Sequence, residues 1–179
     1  MKNIMSDNDK NDTQEINEKQ IKALEEQMKT QFKKAFMDLL RKNLESDKPD
    51  WEWVKRLHQE LRDRICNLTP RRSDIIDDIY DKMDSDIFYN MVSNNVYTGE
   101  NLLALVNFVF SKIHDLEAPV KNVDTDAKRD EVVLLFQNPN STIATIVPVF
   151  IQSANDRLDC VYKDREIFMK MLQKEQTKK

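Results

Sequence analysis

The sequence predicts an all-α protein, a single-domain bundle of about six to seven helices. One observation is the scarcity of glycine, since Gly99 is the only glycine among 179 residues. Phosphate-binding loops, dinucleotide-binding motifs and tight hairpin turns need glycine where the backbone adopts positive φ or approaches a ligand. The other is a recurrent spacing of three and four residues between apolar side chains, the period of an amphipathic helix. Together they disfavour a nucleotide-binding α/β fold and a β-sandwich or barrel.

The helical domain is predicted to span residues 13–173, between disordered polar tails at residues 1–12 and 174–179. The first twenty residues are polar and acidic, with no apolar run of signal-peptide length. The longest apolar stretch, Leu102 to Phe110, is far shorter than the ~20 residues that a membrane-spanning helix requires. We therefore expect a cytoplasmic protein with no transmembrane segment.

The first helix is expected to begin at Thr13 and to carry one apolar stripe. A heptad through Ile21 and Leu24 would place Gln31 and Asp38 in the seam, so the spacing does not fit a coiled coil. The stripe therefore packs inside the same domain or on a partner, with a membrane surface as a further alternative. Its members are Ile21, Leu24, Met28, Phe32, Phe36, Leu39, Leu40 and Leu44. The first four are candidate partner-binding residues.

The second helix is predicted from about Trp51 to Leu68, after a break around Pro49. Trp51 lies about 90° from the centre of its apolar stripe, at 100° per residue. Trp51 is therefore either a lid over the start of the helix or an exposed contact residue, and it joins the candidate partner-binding residues. The stripe itself comprises Trp53, Val54, Leu57, Leu61, Ile65 and Leu68.

Five further helical segments follow, and the fifth helix of the chain is apolar on nearly every side in its first half. Such a helix is typical of the centre of a bundle. Pro148 falls inside the last segment and predicts a kinked C-terminal helix or a split into two. The segments are Ser73 (as the cap) to Met83, Ile87 to Val92, Thr98 to Leu116, Lys128 to Phe136, and Ser141 to Gln173.

One string has the form of a catalytic motif: Asp77-Asp78-Ile79-Tyr80-Asp81 spells DDxxD on a helix. Carboxylates at this spacing can converge on Mg²⁺ ions that hold a diphosphate, because Mg²⁺ prefers hard oxygen ligands. No second acidic motif stands on a facing helix, so we interpret the string as a solvated acidic helix face. A Mg²⁺-dependent enzyme acting on a diphosphate is the alternative.

Residues suited to nucleophilic or metal-dependent catalysis are few. The only histidines, His58 and His114, belong to no HExxH motif and have no cysteine at ligand spacing. We place His58 at the edge of the second helix's stripe. The only cysteines, Cys66 and Cys160, are expected to be buried and reduced. We expect no catalytic residues, no cofactor and no metal.

Charge is distributed unevenly along the chain. Residues 54–72 carry a net charge of +4, residues 73–126 carry −8, and residues 163–179 carry +3. Helix faces that attract each other within the fold are the favoured interpretation, with an acidic surface for a basic partner as the alternative. The chain is net −4, and its arginine cluster lacks interleaved aromatic residues. We therefore expect no specific nucleic-acid binding.

Several strings together resemble the T-complex protein 11 family, which includes a yeast suppressor of protein-kinase defects. The resemblance covers about residues 35–172. It implies an all-helical, non-enzymatic regulatory protein that binds a protein partner and is linked to cyclic-AMP and kinase signalling or to cell morphology. A second copy of the chain is left open as a partner. The strings are Ala35 to Leu40, Pro49 to Leu57, Glu60 to Arg62, Leu68 to Pro70, Leu102 to Leu105, Leu116 to Pro119 and Val161 to Phe168.

Overall fold

The computed structural model describes the backbone of residues 7–178 and the side chains of residues 13–178. This part of the chain forms helices and turns without any strand, which confirms the all-α prediction. A short 3₁₀ helix, Pro119–Lys121, precedes α6. The α-helices are α1 (Asp7–Glu45), α2 (Trp51–Cys66), α3 (Ser73–Lys82), α4 (Ser85–Ser93), α5 (Gly99–Leu116), α6 (Asn122–Leu135) and α7 (Ile143–Gln176).

The chain divides into two compact units, residues 1–39 and residues 40–179. In its described part the first unit is the stretch of α1 up to Leu39, and this helix begins before the expected start at Thr13. Of the predicted N-terminal tail, residues 1–6 lie outside the described residues. At the other end, α7 continues to Gln176.

The core of the second unit forms where α2, α5 and α7 pack together, with α6 against α5 and α7 and with α3 and α4 against α2. Phe110 of α5 and Phe150 of α7 meet there, with ring centroids 6.2 Å apart. The most enclosed element is the first half of α7, because no residue from 143 to 158 is exposed. The helix α5, which was expected at the centre, packs against α6 and α7, but Ala104 in its apolar first half is exposed.

Side chains at the helix starts satisfy backbone N–H groups that have no partner inside the helix. The Asp50 carboxylate accepts from the backbone N–H of Trp53 at 3.0 Å and caps α2. Thr98 and Asn101 form a capping box at the start of α5. For α3 the expectation was wrong: Arg72 holds the N-cap position, and Ser73 is the first helical residue.

Pro148 lies inside α7, which the structure shows as one helix and not two. The residue is buried six positions into the helix. There its ring removes one backbone donor close to the helix start. The predicted kink at this position stays a prediction.

A buried ion pair joins α7 to the segment after α5. The Arg157 guanidinium donates to a Glu117 carboxylate oxygen at 3.1 Å, and the two side chains are only 10% and 2% exposed. Arg157 also donates through Nε to the Thr125 hydroxyl at 2.9 Å. A buried pair of this kind fixes geometry, because removing one partner would leave an uncompensated charge out of water.

Further along α7, polar side chains close the C-terminal ends of two other helices. The Tyr162 hydroxyl donates to the Arg64 carbonyl at 2.5 Å. Arg165 donates to the carbonyls of Leu68 and Leu116, the residues at which α2 and α5 lead into their following turns. Last-turn carbonyls have no partner inside their own helix, so Tyr162 and Arg165 serve the architecture of the bundle.

Candidate interaction surfaces

The candidate partner-binding residues of α1 lie on one exposed apolar face. Ile21 and Leu24 are each 57% exposed, Met28 is 48% exposed and Phe32 is 70% exposed. The spacing of three and four residues places them along one side of the helix. An exposed run of large apolar side chains is characteristic of a binding surface, whereas single exposed apolar residues are ordinary. We call these four residues the α1 face.

Trp51, the remaining candidate, belongs to the second unit and is half-buried, as is Trp53. It lines a cavity of about 330 Å³ together with Pro49, Val92 and Tyr97. Neither tryptophan is fully buried, so Trp53 of the predicted stripe lies at the margin of the core as well as Trp51. Trp51 therefore lies at a cavity wall rather than on the α1 face.

The three aspartates of the acidic motif of α3 differ in their surroundings. The Asp78 carboxylate pairs with the Lys112 ammonium at 2.8 Å, and Asp77 and Asp81 are exposed. Among the described residues, no three histidine, cysteine or acidic side chains are placed to share a metal ion. The geometry therefore gives the Mg²⁺-enzyme alternative no support.

The sequence places His58 at the edge of the stripe of α2, but in the structure His58 lies in the core. Its ring is 6% exposed and stacks on the Phe88 ring, with centroids 4.5 Å apart and planes 7° from parallel. Its Nδ1 lies 2.7 Å from the Ser85 hydroxyl oxygen. Burial, helped by the positive charge of Arg62, lowers the pKa of His58 to about 4. The imidazole is therefore neutral near pH 7.

The hydrogen bonds around Ser85 hold the His58 ring in place. Arg62 donates to the Ser85 hydroxyl oxygen at 3.2 Å, and a guanidinium can only donate. The same hydroxyl pairs with Nδ1 of His58. Nε2 is therefore the ring nitrogen that this network leaves open.

That ring forms part of the wall of an open cleft of about 370 Å³ between α4 and α5. The cleft is the feature that sequence reasoning missed. The sequence signal for the cleft was the apolar character of α5 on nearly all sides, because the bundle does not bury all of that apolar surface. The lining residues are His58, Asp81, Lys82, Asp84, Ile87, Phe88, Met91, Tyr97, Asn101, Ala104, Leu105 and Phe108.

The two cysteines differ in environment. Cys66 is buried and Cys160 is exposed, and both are free thiols. Burial raises the pKa of the Cys66 thiol, and the negative charge of Asp63 adds to the effect. The expectation that both are buried is thus wrong for Cys160, which lies on the outer side of α7.

The sequence model of the T-complex protein 11 family matches residues 10–151. The chain belongs to the T-complex protein 11 family. This confirms the resemblance, and the matched region begins earlier than the quoted strings do. The string Val161 to Phe168 lies beyond the match, so its resemblance to T-complex protein 11 proteins stays a prediction. No solved structure matches the chain.

Two partly apolar features stand out on the described surface of this T-complex protein 11 family member. The features are the α1 face and the cleft between α4 and α5. No helix within residues 7–178 is both long enough and apolar enough to cross a membrane.

Proposed function

We propose that this chain is a non-enzymatic interaction protein that binds a protein partner through the α1 face. The observation that carries the proposal is the exposure of Ile21, Leu24, Met28 and Phe32 on one side of α1. Membership of the T-complex protein 11 family is consistent with a helical protein of this type. The cyclic-AMP and kinase signalling implied by the family resemblance is the process in which we place it.

The occupant we favour is an apolar groove on a different protein. Recognition of an amphipathic helix by a groove uses anchors one helical turn apart, which is how the α1 face is arranged. Self-association as a coiled coil fits less well, because Gln31 and Asp38 would enter the seam. Residues 13–32 carry four acidic and three basic side chains. Apolar contact, and not net charge, should therefore supply most of the affinity.

Affinity capture with matched variants tests the proposal. The double variant Leu24→Asp/Phe32→Asp places two charges in the α1 face, whereas Ala23→Asp/Thr30→Asp places two charges on the opposite side of the same helix. We expect the first pair to lose specific partners, among them kinase-signalling components, and the second pair to retain them. Each buried anchor replaced by a charge should cost roughly 2 kcal/mol or more of binding free energy.

Two binding results would contradict the proposal. One is equal capture by both double variants, which would show that the α1 face is not the contact. The other is binding of the wild-type chain to anionic vesicles that only Leu24→Asp/Phe32→Asp abolishes, because the occupant would then be a lipid surface. Magnesium-dependent turnover of a diphosphate by the purified chain would contradict its non-enzymatic character.

A further inference from the structure

We propose that the cleft between α4 and α5 binds a basic amphipathic helix of a partner protein. A large apolar side chain of that helix enters the cleft, and its flanking lysine or arginine residues approach Asp81 and Asp84. This surface belongs to the second unit and does not depend on the α1 face.

The shape is that of a binding groove with apolar walls. The volume of about 370 Å³ lies in the range of roughly 300–1,000 Å³ that is usual for ligand sites. Ile87 of α4 is 58% exposed at this wall, and Leu105 and Phe108 of α5 are only half-buried. Ala104 is exposed on the same lining. The apolar side chains of α5 that the bundle does not bury thus lie where a side chain of a partner can cover them.

The wall also contributes uncharged polar groups. His58 is 6% exposed, and its Nδ1 is used by Ser85, so Nε2 is the ring nitrogen left for a ligand in the cleft. Tyr97 also lines the cleft, and burial raises the pKa of its hydroxyl, so it stays protonated. The Tyr97 hydroxyl can therefore donate to an oxygen acceptor on an otherwise apolar ligand, such as a last-turn carbonyl of a helix.

The charge around the cleft selects a basic occupant. Residues 73–126, which include α3, α4 and α5, carry three basic and eleven acidic side chains. Lys112 compensates Asp78 and Lys55 compensates Asp86, each at 2.8 Å. Of the charged side chains that line the cleft, Asp81 and Asp84 are acidic and Lys82 is basic. The Asp81 side chain is 78% exposed, with the Lys82 ammonium 3.9 Å away. An acidic ligand would meet repulsion here, and a basic one attraction.

Fluorescence anisotropy with the full chain and synthetic peptides tests this. The probe is a labelled amphipathic helix of about 15 residues, roughly four turns, with leucine on one face and lysine on the other. One comparison peptide replaces every lysine by glutamate, and another replaces every leucine by serine. We expect binding of the leucine–lysine peptide and a loss of about tenfold or more for each comparison peptide. Equal binding of the serine peptide would overturn the proposal.

Matched protein variants locate the contact. Ala104→Arg fills the cleft and adds a positive charge, and Ala127→Arg makes the same change at an exposed position of α6. Asp81→Lys reverses a charge at the cleft, and Asp115→Lys reverses an exposed charge elsewhere on α5. We expect about tenfold weaker peptide binding for the cleft variants and no change for the controls. Because Asp81 is exposed, its variant keeps the test decisive even if Ala104→Arg fails to fold.

Two further measurements separate this proposal from its alternatives. Sedimentation velocity of wild type and Ala104→Arg detects a second copy as occupant, and a dimer that only the variant dissociates would overturn the partner assignment. Leu24→Asp/Phe32→Asp should bind the leucine–lysine peptide like wild type. If that variant loses the peptide, the cleft is not the site. If the cleft variants bind the peptide like wild type, the cleft proposal is wrong, whereas the proposed role of the α1 face is unaffected.

Discussion

Acidification should destabilise this fold through His58, because the native imidazole resists protonation. Its pKa is about 4 in the folded chain, against an ordinary value of 6.5. Between these two values the unfolded chain binds a proton that the native chain does not, so stability falls as pH decreases. The contribution of neutral His58 to the free energy of unfolding is present in full well above pH 6.5 and is lost progressively towards pH 4. From pH 7.5 to pH 5.0 the loss works out to about 2 kcal/mol.

Urea unfolding of wild type and His58→Leu at both pH values measures this loss. Leucine is apolar, of similar size and unable to bind a proton, so subtraction removes the contribution of every other titrating group. We expect the free energy of unfolding of wild type relative to the variant to fall by about 2 kcal/mol on going to pH 5.0. Phe88 stacks on the imidazole and the Ser85 hydroxyl pairs with its Nδ1. Leucine does not reproduce these two contacts, so the comparison uses the change with pH and not the absolute stability.

Parallel pH dependence of the two proteins would refute the reasoning. A second readout does not require the variant to fold: the ring C–H resonance of His58 in the native wild type should titrate with a midpoint near 4. A midpoint near 6.5 would show that the ring is solvated in the native state and that the buried arrangement with Ser85 is wrong.

Three other expectations follow from the buried pair, the thiols and a helix cap. Arg157→Met should lower the free energy of unfolding by about 3 kcal/mol in urea denaturation, because it leaves the buried Glu117 carboxylate without its partner. Adding Glu117→Gln should restore part of the loss. Unchanged stability of the single variant would contradict the pairing. Alkylation followed by mass spectrometry should label Cys160 in the native chain and Cys66 only after unfolding, and equal labelling rates would refute this. Thr98→Ala should cost about 1 kcal/mol of stability by removing the α5 capping box, and an unchanged melting temperature would show that the cap contributes nothing.

Local pattern was sufficient to predict the helices and several of their ends. The stripe of α1 is visible in the sequence because helical spacing puts its apolar residues on one side whether or not anything covers them. The caps Asp50 and Thr98 also act over a short range, because their side chains bind N–H groups of the next turn. These relations involve residues close in sequence, and the structure confirms them.

The centre of the bundle required long-range information. Periodicity ranked α5 as central because its first half is apolar all round. In the structure the first half of α7 is the enclosed segment, and α5 turns Ala104 and Leu105 towards the cleft. Composition shows how much apolar surface a helix has, but not which neighbour covers it.

What the sequence by itself determined is the helical class, the near-exclusion of glycine-loop chemistry, the apolar α1 face and the family. Only the tertiary structure decided that His58 is a neutral core residue beside a cleft, that Asp78 is neutralised by Lys112, and that Cys160 is exposed. The reason is physical: helix formation and amphipathic spacing are set by neighbours along the chain. Burial, charge compensation and cavity walls are set by residues that meet only when distant segments pack.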